Sequence, residues 1–215
     1  MYRPPAFAED DPTALAAILA ETRLATLIAV IDGEPVADHV PMSFDPTRGP
    51  HGTLTGHLAR ANPQAAAEAD GRPVLVCVLG PEAYVSPSFY PSKRENGRVV
   101  PTWNYVAVQA RGRLRLFRDP DRLLALVSAQ TQIHEAGRAE PWSVADAPDD
   151  FLRAQSKGIV GFEIEIERLE GKRKLSQNRT AADRAGVVAG LAASPDPRDR
   201  ALAAAMAEQG GGERG

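Results

Sequence analysis

Three short stretches of this chain carry side chains that could hold an anion or a flat ring. In the first, Gly56-His57-Leu58-Ala59-Arg60-Ala61-Asn62, a strand ends at a glycine, and His, Arg and Asn cluster where a helical segment begins. Arg60 offers a planar two-pronged donor suited to phosphate. The amides of a helix start add partial positive charge, and His57 and Asn62 add donors. The plain alternative is a helix start with a surface arginine. The second stretch joins Tyr84-Val85-Ser86-Pro87-Ser88-Phe89-Tyr90-Pro91-Ser92-Lys93 to Val100-Pro101-Thr102-Trp103-Asn104-Tyr105 through a long loop. Strand alternation puts Trp103 and Tyr105 on one face, with Thr102 and Asn104 on the other. One face could stack on a ring while the other donates hydrogen bonds. The plain reading, preferred for the aromatics, is an aromatic core face with a polar outer face. The third, Gly171-Lys172-Arg173-Lys174-Leu175-Ser176-Gln177-Asn178-Arg179, holds two of the four lysines of a chain that otherwise uses arginine. It reads as a solvated turn or as a phosphate-binding segment.

Other chemistries lack their residues. His39, His51, His57 and His134 have no metal-ligand spacing, and His134 reads as a helix cap. There is no phosphate loop, dinucleotide-binding glycine fingerprint or nucleophile-elbow serine. Cys77, the single cysteine, excludes an internal disulfide and sits in an apolar run, where a small buried hydrophobe is expected. Tyr90, Lys93 and His134 are the candidates for acid–base work. A net charge of −3 and a pI near 5.8 give no global attraction to nucleic acid. Arg111, Arg113 and Arg115 make the one basic stripe worth testing against DNA, and a charged outer strand face is its simpler explanation.

The elements that must position these residues follow from pattern. Asp10-Asp11-Pro12 opens a helix with Leu15, Ile18 and Leu19 on one face, and Asp32-Gly33 marks a hairpin between two β-type runs. Short strands are expected at Thr53–His57, Val74–Leu79 and Tyr84–Ser86, with a short Ala-rich helix after Asn62. Thr102–Phe117 reads as one long strand or a bent pair. Asp119-Pro120 caps a helix to about Glu135, and Ile159–Leu169 alternates as a half-buried strand. Gly 18 and Pro 18 in 215 residues favour many turns. The sum is a mainly β, α+β chain: a small antiparallel barrel with peripheral helices. Residues 1–179 are expected to form the barrel domain with inserted helices, 180–209 a helical appendage and 210–215 a flexible tail. With no stretch apolar enough to span a membrane, a cytoplasmic protein is expected.

In order along the chain, the motifs resemble the PaiB-type FMN-binding negative transcriptional regulators, relatives of the pyridoxamine-phosphate-oxidase-like split barrels. The matching residues are Met1-Tyr2-x-Pro4 with Phe7 and Asp10, Gly56 to Pro63, Tyr84 to Pro87, and Tyr90 to Lys93. They continue with Val100 to Tyr105, His134-Glu135 ahead of Pro141-Trp142, and Gly171-Lys172-x-Lys174-Leu175-Ser176-Gln177-Asn178-Arg179. The resemblance implies an FMN-binding split β-barrel and a homodimer with flavin in the cleft between subunits. It places the flavin phosphate on His57, Arg60 and Asn62, and the strand holding His39, Met42 and Ser43 beside the isoalloxazine. Lys93, Thr102, Trp103, Asn104, Gln177 and Arg179 would complete the site, some from the partner subunit. Members are named as repressors, which makes direct DNA contact an open expectation. The competing expectation is an FMN-dependent oxidoreductase, or a haem-handling split-barrel enzyme, that does not touch DNA.

Overall fold

The computed structural model describes residues 1–211; of the tail expected from residue 210, 212–215 lie outside the described residues. Its strands are β1 (Ala8–Glu9), β2 (Leu24–Ile31), β3 (Glu34–Asp45), β4 (Thr53–Ala59), β5 (Pro73–Val85), β6 (Thr102–Phe117) and β7 (Ile159–Lys174). Its α-helices are α1 (Pro12–Glu21), α2 (Ser92–Asn96), α3 (Pro120–Glu135), α4 (Asp149–Ser156), α5 (Ala181–Ala192) and α6 (Pro197–Gly211). The chain forms two compact units, Ala16–Val78 with Gln109–Leu169, and Met1–Leu15 with Leu79–Val108 and the chain from Glu170 on.

The first unit is a closed antiparallel ring. Asp32 and Gly33, at φ 51° and 86°, form the two-residue turn that pairs Ile31 with Glu34 and fixes the β2–β3 register. β3 pairs with β4, β4 with β7, and β2 with β5, and the strand order closes through β5–β6 and β6–β7. Alternate residues point inward, so Leu27, Val76, Leu114, Phe162, Ile164 and Ile166 fill the core. Closure demands a near approach of backbones at Gly112, where a Cβ would lie 2.2 Å from the Glu165 carbonyl oxygen. Arg111, Arg113 and Arg115 sit on the outward alternation of the same strand, as their spacing requires.

Outside the ring, α3 begins where Asp119 accepts the Arg122 N–H at 2.8 Å. Arg122 then reaches Glu163 of β7 at 2.7 Å and covers the Phe117 ring at 3.9 Å, and Arg48 reaches Glu163 at 2.9 Å. Burial alone raises the Glu163 carboxyl, but hydrogen bonds and charge from Arg48 and Arg122 outweigh it and hold the group below the ordinary carboxylate value.

In the second unit, β1 pairs with the end of β7, matching Ala8 to Lys172 and Glu9 to Gly171. Val85, Val106, Leu175, Leu191, Leu202 and Met206 are buried. Helix α5 starts where the Thr180 hydroxyl accepts the Asp183 N–H at 3.2 Å. It can lie against Phe89 because residues 186 and 190 are glycines; a Cβ there would sit 2.2 Å from the Phe89 carbonyl oxygen and 2.3 Å from its ring, respectively.

Several local expectations change. The Ala-rich stretch after Asn62 makes two 3-10 turns, Pro63–Ala65 and Ala67–Ala69, because Ala66 between them is extended (ψ 153°). Tyr84–Val85 is the end of β5, which passes unbroken through Gly80 and Pro81, and residues 92–96 within the long loop form α2. The basic third motif is strand as far as Lys174, since β1 gives its backbone a partner. Cys77 is half-buried, with its thiol pushed up by burial. The preferred aromatic-core reading of β6 is reversed: Asn104 is 1% exposed and Trp103 54%. The inversion stands because Asn104 Nδ2 donates to Ser176 Oγ at 2.8 Å, so burying it leaves this donor paired, while Trp103 meets the exposed Tyr84 edge-on at 6.2 Å.

Gly112→Ala forces β6 and β7 apart and is expected to destabilise the fold by about 1–3 kcal/mol in urea unfolding. A midpoint equal to that of the parent would exclude the close approach. The Glu163 contribution is complete above the ordinary carboxylate value and lost as pH falls through the lowered one. Unfolding midpoints should therefore drop on acidification more steeply for the parent than for Glu163→Gln.

Candidate functional site

In the barrel unit, the outward face of β3 and β4 meets a cleft. Met42 pairs with Gly56 and Ser43 with Thr55, so the next pair outward is Pro41 and His57. Alternation turns Met42 into the core and leaves Ser43, like His39 four residues earlier, on the outer side. His39 is exposed, and its Nδ1 lies 3.1 Å from the Thr26 hydroxyl on β2. The cleft, of about 500 Å³, is lined by Ala20–Arg23, Met42, Ser43, Phe44, Ile133 and His134.

His57 is held from α3. Gln130, buried on the apolar stripe of that helix, donates Nε2 to the Pro41 carbonyl at 3.5 Å and places Oε1 3.3 Å from His57 Nδ1. The Pro41 carbonyl can only accept, which fixes the amide orientation. Oε1 must then accept, so Nδ1 carries the hydrogen and Nε2 of the neutral ring keeps its lone pair. Sequence reasoning missed Gln130. Its signal was a polar residue seven positions after Leu123 on a face that otherwise reads as apolar.

Arg60 and Asn62 follow the end of β4. The Arg60 backbone N–H donates to the Gly158 carbonyl at 2.8 Å, while its exposed guanidinium makes no ion pair or hydrogen bond among the described residues. Asn62 caps the first 3-10 turn, accepting the Gln64 N–H at 2.8 Å. Its Nδ2 donates to Asp38 at 2.9 Å, where the fully buried Gln64 also donates at 2.7 Å. One Asn62 amide hydrogen remains for a ligand. Asp38 and Gln64, which set this loop, carried no motif that would have singled them out.

The remaining sequence-predicted residues lie in the second unit. Lys93, exposed on α2, donates to Ser88 Oγ at 3.3 Å. Lys174 brings Thr102 and Trp103 together: its Nζ lies 2.5 Å from the Thr102 hydroxyl and also donates to the Trp103 carbonyl. Asn104 is spent on Ser176. Gln177 closes the turn at Ser176 (φ 64°), accepting the Leu175 N–H at 2.7 Å and donating to the Arg173 carbonyl. The Arg179 guanidinium lies 5.0 Å over the ring of buried Tyr90, whose hydroxyl is pushed up by burial. Burial first, then the charges of Lys172 and Arg179, push the Lys174 ammonium down.

A family model described as "Putative FMN-binding domain" matches residues 1–168. The chain belongs to this FMN-binding domain family. Curated relatives match this chain over most of its length. The Bacillus subtilis "Protease synthase and sporulation protein PAI 2" is 32% identical over 97% of this chain and 98% of its own length. An uncharacterized Emericella nidulans protein, AN0679, is 36% identical over 72% of this chain and 74% of its own. The FAD and heme binding protein of Mycobacterium smegmatis superposes with a TM-score of 0.58 at 19% identity, covering 83% of this chain and 78% of that one. The shared fold is the flavin-binding split barrel. The polar groups present fit FMN: a cation without a partner among the described residues at Arg60, an acceptor imidazole nitrogen at His57, and a hydroxyl at Ser43 beside the cleft of about 500 Å³.

Gln130→Leu is expected to release the His57 ring, seen as a changed tautomer in imidazole nitrogen NMR. Pro41 is exposed, so water can replace the 3.5 Å bond to its carbonyl and the change should show in the imidazole rather than in stability. An unaltered imidazole spectrum would show that Gln130 does not fix the ring.

Proposed function

We propose that this chain is a homodimeric FMN protein that holds the flavin against the outer face of β3 and β4 and serves a regulatory role. The observation that carries the reading is the Arg60 guanidinium, without a partner among the described residues, following the strand that presents His57 in the same unit as the Ser43 cleft. Arg60 would take two phosphate oxygens, His57 Nε2, with its lone pair, would accept from a ligand hydroxyl such as that of the ribityl chain, and Asn62 would steady the loop that sets Arg60. His39, Met42 and Ser43 would border the ring system. Lys93, Thr102, Trp103 and Arg179 would close the site, some from a partner subunit, with Asn104 and Gln177, committed to Ser176 and to the Leu175 and Arg173 backbone, shaping its wall. Bound FMN supplies electron-transfer chemistry; the chain positions it and limits access to it.

The dimer reading is supported by an apolar outer face of the ring. Leu24 and Val30 of β2 are each 58% exposed. Ile28 and Leu75 border a hollow of about 340 Å³ floored by Ala29 and Val74. A second copy would cover this face. The regulatory role is supported by the near full-length similarity to the Bacillus protein, which is named for protease synthesis and sporulation. Direct DNA contact has the least support, because Arg113 is paired with Glu167 at 3.5 Å and Arg198 with Asp196 at 2.7 Å.

A second reading, an FMN-dependent oxidoreductase or a haem-handling enzyme, is favoured by His134 in the wall of the cleft and by the FAD and heme binding named for the mycobacterial neighbour. NADPH oxidation with FMN added, and the Soret band after haem addition, separate it from a binding role.

FMN fluorescence quenching should report micromolar or tighter binding to a species that sediments as a dimer. Arg60→Ala should weaken FMN by about 1.5–3 kcal/mol, roughly 10- to 150-fold. Absent quenching would remove the flavin reading, and equal affinity in Arg60→Ala would remove Arg60 from the phosphate.

A further inference from the structure

The end of β7 gathers positive charge without Arg60, the residue proposed for the flavin phosphate. Lys172 and Lys174 share one side of the strand, while Arg173 between them turns to Glu9 at 3.9 Å. Lys172 is 7% exposed, and among the described residues its ammonium meets the Tyr2 carbonyl at 3.1 Å and the rings of Tyr2 and Tyr105 at 5.5 and 5.1 Å. Lys174 has the Thr102 hydroxyl and the Trp103 carbonyl. Among the described residues, no carboxylate stands within ion-pair distance of Lys172, Lys174 or Arg179. Asp183, the acid that feels Arg179, spends its oxygens on the Ser92 N–H and hydroxyl at 3.1 and 2.8 Å. The Tyr90 hydroxyl, buried beneath Arg179, has no hydrogen-bond partner of proper geometry.

Half-buried like charges without counter-charge are costly, and mutual repulsion adds to the desolvation of each ammonium. An anion offsets both. Thr102 completes the chemistry: its oxygen accepts from Lys174, which leaves its own hydrogen to donate outward. We infer that Lys172, Lys174, Thr102 and Arg179 form a seat for a phosphate group, a reading that rests on the flavin proposal only for the source of that phosphate. The source is either FMN held by a partner subunit or a separate phosphorylated molecule. Lys172 and Lys174 are binding residues in either case, and Tyr2 and Tyr105 are positioning residues that hold the Lys172 ammonium.

Thermal unfolding with inorganic phosphate, against chloride at matched ionic strength, tests the seat without flavin. The parent should gain several degrees in Tm with millimolar phosphate. Lys174→Gln and Lys172→Met should lose the gain, and Lys174→Arg should keep it, with far-UV circular dichroism checking that each variant is folded. FMN and riboflavin affinities identify the source. A loss of about tenfold or more for FMN alone in Lys174→Gln assigns the flavin phosphate, whereas unchanged FMN affinity with a lost phosphate gain assigns a separate phosphorylated ligand. A parent with no phosphate-dependent gain, together with unchanged FMN affinity in Lys174→Gln, overturns the inference. If FMN does not bind the parent at all, the phosphate response alone decides it.

Discussion

At Gly112 the backbones of β6 and β7 come too close for any side chain, and that approach closes six strands into a ring. Closure has two effects on the rest of the barrel unit. It removes the free hydrogen-bonding edges that an open sheet of these strands would expose. It also divides every strand strictly into inward and outward residues, so Met42 belongs to the core while Ser43 and His57 face outward. The cleft, the His57 anchor and the apolar face of β2 all inherit their direction from that division.

Helix α3 turns this outer face from a surface into a site. Its start is fixed by Asp119 and by the Arg122–Glu163 ion pair, and that placement brings Gln130 over Pro41 and His57. A single amide then orients an imidazole, and a polar residue on an apolar stripe finds both partners it needs. At the end of β4 the 3-10 turn after Asn62 performs a similar task. Side-chain capping from Asn62, with Asp38 and Gln64, holds the loop and leaves the Arg60 guanidinium free. The arrangement is economical in charge: a local cation can attract an anion even where the chain as a whole is acidic.

The second unit uses polar burial differently. Asn104 lies inside because Ser176 receives its amide, and Lys172 lies inside because a carbonyl and two tyrosine rings receive its ammonium. The first burial is paid in full by a neutral hydrogen bond. The second leaves its ammonium with no carboxylate at ion-pair distance among the described residues, an imbalance that a bound anion would offset.

By itself the sequence determined the family, the β-rich class, the Asp32-Gly33 hairpin, the Asp119 cap of α3 and the outward arginine stripe of β6. Each of these depends on local dihedral preference, capping or period-two alternation, or on motifs read in order. It also brought His57 and Arg60 to attention as neighbours across a strand end. Only the tertiary structure decided which face of β6 is buried, since alternation separates Thr102 and Asn104 from Trp103 and Tyr105 without saying which pair points inward. It alone decided that Gln130 holds His57, 73 residues apart in the chain, and that the basic segment before Ser176 is strand because β1 pairs with it. Such outcomes rest on which distant groups satisfy a buried donor or an open edge, and neighbouring residues in the sequence carry no record of them.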